Sequence, residues 1–169
     1  MARLVQFAAA VYRTLAGWLN LLQPVFLLVI RLYIGWLLFK AGRGKLMNID
    51  ATADTFRDLH IPLPVLNTYL SGSVEVVGGL ALVFGLAARL AAIPLVVNML
   101  IAYATAHPDE LHAFFSDTGR FLKAPPFLPL LTAIIVLAFG PGPLSLDGLL
   151  SRLFKPSLAK PQPDATGNQ

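Results

Sequence analysis

Four long apolar blocks, separated by short polar segments, dominate the chain. An α-helix needs about 20 largely apolar residues to cross the hydrocarbon of a bilayer, where it satisfies its own backbone groups without water. We therefore predict an all-α fold, an integral membrane four-helix transmembrane bundle with short interfacial helices. The predicted spans are residues 24–39, 65–86, 90–106 and 126–139.

The polar segments predict three short helices at the membrane surface. Asp50 can cap a helix in the sequence DATADTFRDLHIP, where Phe56 and Leu59 fall on one side. The mixed charges and aromatic residues of the segment 108–123 indicate a second surface helix. The stretch LDGLLSRLF, which Ser145 or Asp147 can cap, indicates a third.

The chain divides into three segments. Residues 1–23 predict a retained amphipathic helix on the membrane surface rather than a signal peptide, because Gln6 and Arg13 interrupt the apolar stretch. Pro24 is a favourable first residue for the next helix, and a membrane domain follows over residues 24–154. Residues 155–169 are polar and rich in proline, which predicts a flexible tail.

Composition supports the membrane assignment. Of the 169 residues, 56% are hydrophobic and 13% are charged, against about 25% charged residues in soluble domains. The net charge of +4 does not indicate a nucleic-acid partner, because the basic residues are scattered between the apolar blocks, as membrane topology requires. We expect a multi-pass protein whose partner is the lipid bilayer of a bacterial or archaeal cytoplasmic membrane.

The charges of the loops predict which side of the membrane carries the termini. Four spans place both termini on one side, and acidic residues in the loops at 40–64 and 107–124 offset the basic ones there. Cytoplasmic termini are therefore expected.

The side chains present exclude some chemistries. The absence of cysteine excludes disulfides, thiolate clusters and cysteine nucleophiles. His107 and His112 are five residues apart, which does not align them on one helix face, so no metal site is expected.

Two ionisable residues, Arg31 and Glu75, interrupt the predicted spans. Counted from the loop that joins their helices, their depths differ by about one helical turn, and a lone ion in lipid is costly. We therefore predict that they pair inside the bundle, with glycines such as Gly35 and Gly79 allowing close helix approach. Asn98 adds a polar group in the third span. Such a pair either fixes helix register or forms a functional site.

The chain resembles the DoxX-like family of small four-helix membrane proteins. The matching stretches are RLYIGWLLFKAGRGKL, LSGSVEVVGGLALVFGLAARLAAIPL, NMLIAYATAH and GPGPLSLDGLL, within about residues 31–150. The positions that match the family pattern are Arg31, Gly35, Lys45, Glu75, Gly79, Gly85, Arg89 and Asp147.

The resemblance implies a four-helix bundle associated with redox metabolism, as in the membrane subunit of a thiosulfate:quinone-type oxidoreductase. We expect a quinone cofactor, with Glu75 and Arg31 as catalytic residues and Arg31, Glu75, Asn98 and Lys45 as binding residues. A chain without cysteine needs that quinone, a soluble redox partner or a second membrane subunit to transfer electrons, and a homo-oligomer is a further expectation.

The alternative is a non-catalytic membrane scaffold or anchor for soluble redox or oxidative-stress enzymes. A small transporter is less favoured, because four spans without broken helices give little material for alternating access.

Overall fold

The computed structural model describes residues 2–153, and within this range the chain is built from eight α-helices and no strands. The predicted tail at 155–169 lies outside the described residues. The helices are α1 (Ala2–Met47), α2 (Ile49–Asp58), α3 (Pro64–Phe84), α4 (Ala88–Ala106), α5 (Pro108–His112), α6 (Thr118–Lys123), α7 (Phe127–Phe139) and α8 (Leu146–Leu153).

Four of these helices form the predicted bundle. Helix α1 packs against α3, α3 against α4, α4 against α7, and α7 closes the ring on α1. The core between them is apolar and includes Ile34, Leu82, Leu95 and Val136, each at most 2% exposed.

Among the helices that the structure describes, three are long and apolar enough to cross a membrane. These spans are Leu22–Met47, Pro64–Phe84 and Ala88–Ala106. The fourth predicted span is α7, which has 13 residues and is therefore about 20 Å long, shorter than the hydrocarbon layer of about 30 Å. The chain is thus an all-α membrane protein in which α7 completes the bundle without reaching full spanning length.

Helix α1 does not begin at Pro24. It runs without a break for 46 residues, and Pro24 lies inside it. An internal proline removes one backbone hydrogen bond, but apolar helices tolerate this loss when neighbouring groups satisfy the freed carbonyl. The predicted boundary between residues 23 and 24 is therefore not a boundary in the fold, although residues 2–23 are helical as expected.

The short helices mark the two ends of the bundle. We call the end that carries α2, α5 and α6 the loop side, and the end with the α3–α4 turn and α8 the turn side. Helix α2 packs on α3 and buries Ala53. The segment predicted as one surface helix at 108–123 forms two, α5 and α6, joined by a turn at residues 113–117.

Glycines bring α1 and α3 into close contact. A Cβ added to Gly42 would lie 2.6 Å from the Gly72 carbonyl oxygen and 2.7 Å from the Glu75 Cβ. A Cβ on Gly79 would lie 2.6 Å from the Gly35 carbonyl oxygen. The two backbones therefore touch, and this contact fixes the depth of Glu75 relative to α1.

Candidate functional site: a buried carboxylate on the loop-side half of the bundle

Glu75 is buried in the middle of α3, with only 3% of its surface exposed. Gly42 of α1 packs against its Cβ, and Asn98 of α4 lies on its other side. A carboxylate at this depth requires polar partners, because an isolated charge in a low-dielectric interior costs several kcal/mol.

Among the described residues, both hydrogen bonds to the Glu75 carboxylate end on the same oxygen, Oε1. Lys45 Nζ donates to Glu75 Oε1 at 2.5 Å, and Asn98 Nδ2 donates to the same oxygen at 3.1 Å. Lys45 also donates to Ser71 Oγ at 3.2 Å. Three helices therefore meet at this oxygen.

The other oxygen, Glu75 Oε2, is buried and has no hydrogen-bond partner among the described residues. An unpaired buried acceptor costs about 1–3 kcal/mol, and more when it is charged. Such an oxygen is chemically available: it can take up a proton or accept a hydrogen bond from a bound molecule.

The site has a connection to water on the loop side. The Lys45 side chain is 28% exposed, whereas that of Glu75 is 4% exposed. Lys40 and Arg43, on the same end of α1, are exposed. The loop-side mouth is therefore cationic, and its innermost cation holds the buried carboxylate.

The predicted Arg31–Glu75 pair is wrong. The Arg31 guanidinium instead donates from Nη1 to the Pro141 carbonyl oxygen and from Nη2 to the Leu144 carbonyl oxygen at 3.1 Å. Arg31 is 1% exposed, and its Nε has no partner among the described residues. The structure thus brings Glu75, Lys45 and Asn98 together and places Arg31 elsewhere.

Register and side-chain direction explain this outcome. Arg31 lies eleven residues from Gly42, the residue that touches Glu75, which is about 16 Å along the helix. Helical side chains lean toward the N-terminus of their own helix. Arg31 therefore leans toward the turn side and Glu75 toward the loop side, while Lys45 leans back into the bundle and reaches Glu75.

Arg31 belongs to a second polar cluster, on the turn side. A Cβ on Gly85 would meet both the Ser145 Cβ, at 2.5 Å, and Arg31 Nη1, at 2.9 Å. Gly85 has a φ of +63°, which glycine adopts without strain. Arg31 thus ties α1 to the segment between α7 and α8, at the point where that segment meets the α3–α4 turn.

Asp147 completes the turn-side cluster by capping α4. Its Oδ1 accepts from the Ala87 backbone N–H at 2.9 Å, and its Oδ2 accepts from that of Ala88 at 3.2 Å. The sequence indicated only that Ser145 or Asp147 would cap α8. Ser145 does so, accepting from the Gly148 N–H at 3.0 Å, and Asp147 serves α4 instead.

The acceptors of Arg31 were not predicted from the sequence. The stretch Gly140-Pro141-Gly142-Pro143 cannot continue a helix, so its carbonyl groups lack helical partners. A buried arginine facing such a stretch is the signal that could have identified them.

An apolar groove lies on the lipid-facing side of α3 and α4, beside the turn that joins them. It is lined by Val77, Leu80, Ala81, Phe84, Leu86, Ala87, Leu90 and Ala91. Val77 is two residues from Glu75 and points to the outside of the helix, where it is 65% exposed. The groove therefore does not open onto the carboxylate.

The described residues contain no group of three or more metal-ligating side chains.

The fold and the site together define a small helical membrane protein with a buried carboxylate that a lysine connects to one membrane surface. Residues 26–108 match the family model described as DoxX.

Similar proteins come from several bacteria. An uncharacterized membrane protein of Mycobacterium tuberculosis is 32% identical over 151 residues, covering 80% of this chain and 90% of that protein. "Putative oxidoreductase CatD" of Bacillus subtilis is 29% identical over 120 residues, 71% of this chain and 83% of that one. An uncharacterized protein of Haemophilus influenzae is 25% identical over 134 residues, with coverage of 77% and 86%. No solved structure gives a significant match. The chain belongs to the DoxX family, which confirms the resemblance read from the sequence.

Proposed function

We propose that this protein is the membrane subunit of a redox system and that Glu75 handles the protons of a quinone-linked reaction. The observation that carries the proposal is Glu75 Oε2, a buried oxygen without a partner among the described residues. A relative whose printed name is "Putative oxidoreductase CatD" supports the redox assignment.

The donor set suits a quinone head group. A quinone has carbonyl oxygens that accept hydrogen bonds, and it takes up protons together with electrons when it is reduced. Asn98 Nδ2 and Lys45 Nζ supply donors, and Glu75 supplies a carboxyl group that holds or releases a proton beside them. Arg31 is not part of this arrangement, and we assign it a positioning role through the turn-side cluster.

Protons have a route between the site and water. Lys45 donates to Glu75 Oε1 and to Ser71 Oγ, and its partly exposed side chain extends from Glu75 to the loop-side surface. Proton exchange would therefore occur on the loop side, whereas buried apolar residues such as Leu82 and Leu95 lie between Glu75 and the turn side.

Thiosulfate or a related sulfur compound is the proposed electron donor. Family resemblance supports this choice, and the exposed Lys40 and Arg43 near the mouth favour an anionic substrate. The chain has no cysteine, so electrons must reach the quinone through a soluble redox partner or a second membrane subunit.

The test is thiosulfate-dependent reduction of a short-chain ubiquinone by membranes that contain the protein. We expect Glu75→Gln to lower the rate by about 100-fold or more, the scale of losing a general acid–base group. Ser73→Ala, at an exposed position on the same helix, is the matched control and should leave the rate unchanged. The proposal fails if the parent neither retains quinone on purification nor supports thiosulfate-dependent reduction.

A second candidate function is a scaffold that holds soluble redox or oxidative-stress enzymes at the membrane. The observation that favours it is Phe115, which is 93% exposed in the turn between α5 and α6. Phe114 holds its ring in an edge-to-face contact at 4.6 Å. If the scaffold function is correct, Phe115→Ala should release a stoichiometric soluble partner while Glu75→Gln retains it.

A further inference from the structure

The ammonium group of Lys45 lies between the buried carboxylate and the loop-side mouth. Its Nζ donates to Glu75 Oε1 at 2.5 Å and to Ser71 Oγ at 3.2 Å. An ammonium group has three N–H donors, so one of them has no acceptor among the described residues. Because 28% of the lysine side chain is exposed, this third donor is available to a molecule that enters from the loop side.

Ser71 adds a second free donor at the same place. It is half-buried and lies one helical turn from Glu75, toward the loop side. Its oxygen accepts from Lys45, and its own O–H donates to none of the described residues. Two donors 3.2 Å apart, one of them charged, suit the oxygens of an oxyanion. The exposed Lys40 and Arg43 attract anions to this end of α1.

The charges around Glu75 balance as one cation for one carboxylate. Within the described part of the chain, Lys45 is the only charged group in contact with Glu75, and α4 contributes the neutral Asn98. Arg31 is held on the turn side by backbone carbonyl groups. Helix α2, which packs on α3, carries only exposed charges, namely Asp50, Asp54, Arg57 and Asp58. An oxyanion at the mouth would therefore add a negative charge that no further cation balances.

The free oxygen of Glu75 offers a way to restore neutrality. Glu75 Oε2 is buried and has no partner among the described residues, and a neutral carboxyl group costs far less to bury than an ionised one. When an oxyanion takes up the charge of Lys45, a proton from loop-side water can bind at Oε2. Oε1 then remains the acceptor of the Asn98 amide, so the other contact of the carboxyl group is kept.

We propose that the loop-side mouth binds a small oxyanion together with one proton, the oxyanion at Lys45 and Ser71 and the proton at Glu75. The inference rests on the anionic substrate of the proposed function and adds that this substrate enters with a proton. The bound state then holds more protons than the free state, so affinity rises as the pH falls. For a full proton, Kd changes by about tenfold per pH unit while Glu75 is ionised in the free protein.

Calorimetric titration with thiosulfate, in nanodiscs and without quinone, tests this coupling. Tris and Bis-Tris buffers differ in ionisation enthalpy, so the difference in heat between them reports the protons taken up on binding. The parent should take up close to one proton per thiosulfate near neutral pH, and its Kd should increase with pH. A Kd that does not depend on pH, binding without proton uptake, or no binding at all would overturn the proposal.

Single variants test the separate roles of the residues. Glu75→Gln keeps the side-chain shape without a titratable group, so it should bind thiosulfate at least as tightly as the parent, with no proton uptake. Lys45→Met should lose binding. Ser71→Ala should weaken binding by about 10-fold and keep the proton uptake, whereas Ser73→Ala, exposed on the same helix, should match the parent. Proton uptake that persists in Glu75→Gln would refute the assignment of the proton to Glu75.

A lipid phosphate has the same chemistry as a free oxyanion, and nanodisc composition separates the two sources. Thiosulfate should bind the parent with a similar Kd in phosphatidylcholine and in phosphatidylglycerol nanodiscs. Loss of binding in phosphatidylglycerol would show that a lipid head group occupies the mouth and would overturn the assignment to a free oxyanion. Proton-coupled binding without quinone reduction would overturn the redox function alone, and quinone reduction without proton-coupled binding would overturn this inference alone.

Discussion

Lys45 Nζ lies 2.5 Å from Glu75 Oε1, so the loop-side end of α1 is joined to the middle of α3. The two partners differ in environment, since the lysine reaches water and the carboxylate does not. The buried charge is therefore balanced by a cation that an anion from solution can approach. The pair therefore connects the buried interior of the bundle to one membrane surface.

Removing the lysine should destabilise the protein. Lys45→Met leaves Glu75 with Asn98 as its only hydrogen-bond donor among the described residues, and breaking a buried ion pair costs on the order of 3 kcal/mol. We expect a lower midpoint of thermal unfolding in detergent, with partial recovery in the double variant Lys45→Met with Glu75→Leu. Lys40→Met, exposed on the same helix, should unfold like the parent. A double variant less stable than both singles would contradict the pairing.

Arg31 and Glu75 should behave independently. They belong to clusters about 16 Å apart along α1, and substitutions at that separation normally add within about 0.5 kcal/mol. Arg31→Met and Glu75→Gln should each destabilise, and their effects on the free energy of unfolding should sum. A double-mutant cycle measures the coupling free energy directly. A value comparable to that of Lys45 with Glu75 would show that the two clusters are energetically coupled.

The sequence predicted the helices better than it predicted the contacts between them. Apolar block length located the spans, and the cost of a buried charge correctly demanded a partner for Glu75. Its partner depended on the register of α1 against α3, which the contacts of Gly42 and Gly79 set, and on the direction in which each side chain leans. Neither can be obtained from depth counted along the chain, so the sequence paired Glu75 with Arg31, whereas the structure pairs it with Lys45.

The close contact of α1 and α3 predicts a strict requirement for glycine at position 79. An added Cβ would lie 2.6 Å from the Gly35 carbonyl oxygen and 2.7 Å from the Phe39 backbone nitrogen, and backbone atoms cannot rotate away. Gly79→Ala should separate the helices and cost about 1–3 kcal/mol. Unfolding in detergent measures the loss. Gly44→Ala is the control, because nothing lies within 4 Å of a Cβ there, and equal stability of the two variants would refute the contact.

Asp147, which follows Ala87 by 60 residues in the sequence, should stabilise the α3–α4 turn. Its two carboxylate oxygens accept from the Ala87 and Ala88 backbone N–H groups, and loss of a helix cap costs about 0.5–2 kcal/mol. Asp147→Ala should lower the unfolding temperature and speed hydrogen exchange at the first turn of α4. Asp58→Ala, exposed at the end of α2, should change neither. Unaltered exchange in α4 would show that the cap is dispensable.

The two ends of the bundle should face opposite sides of the membrane, with the loop side outside the cytoplasm. The acidic residues of the loops at 40–64 and 107–124 offset the basic ones there, whereas the turn side carries Arg89 with fewer acids nearby. A Ser116→Cys variant places one thiol in the exposed turn between α5 and α6. It should react with a membrane-impermeant maleimide added to intact cells. Ser151→Cys, exposed on α8 at the opposite end, should react only after the cells are opened, and the reverse pattern would invert the topology. Since Lys45 connects Glu75 to the loop side, the same result would also place proton exchange at the proposed site on the outer surface of the membrane.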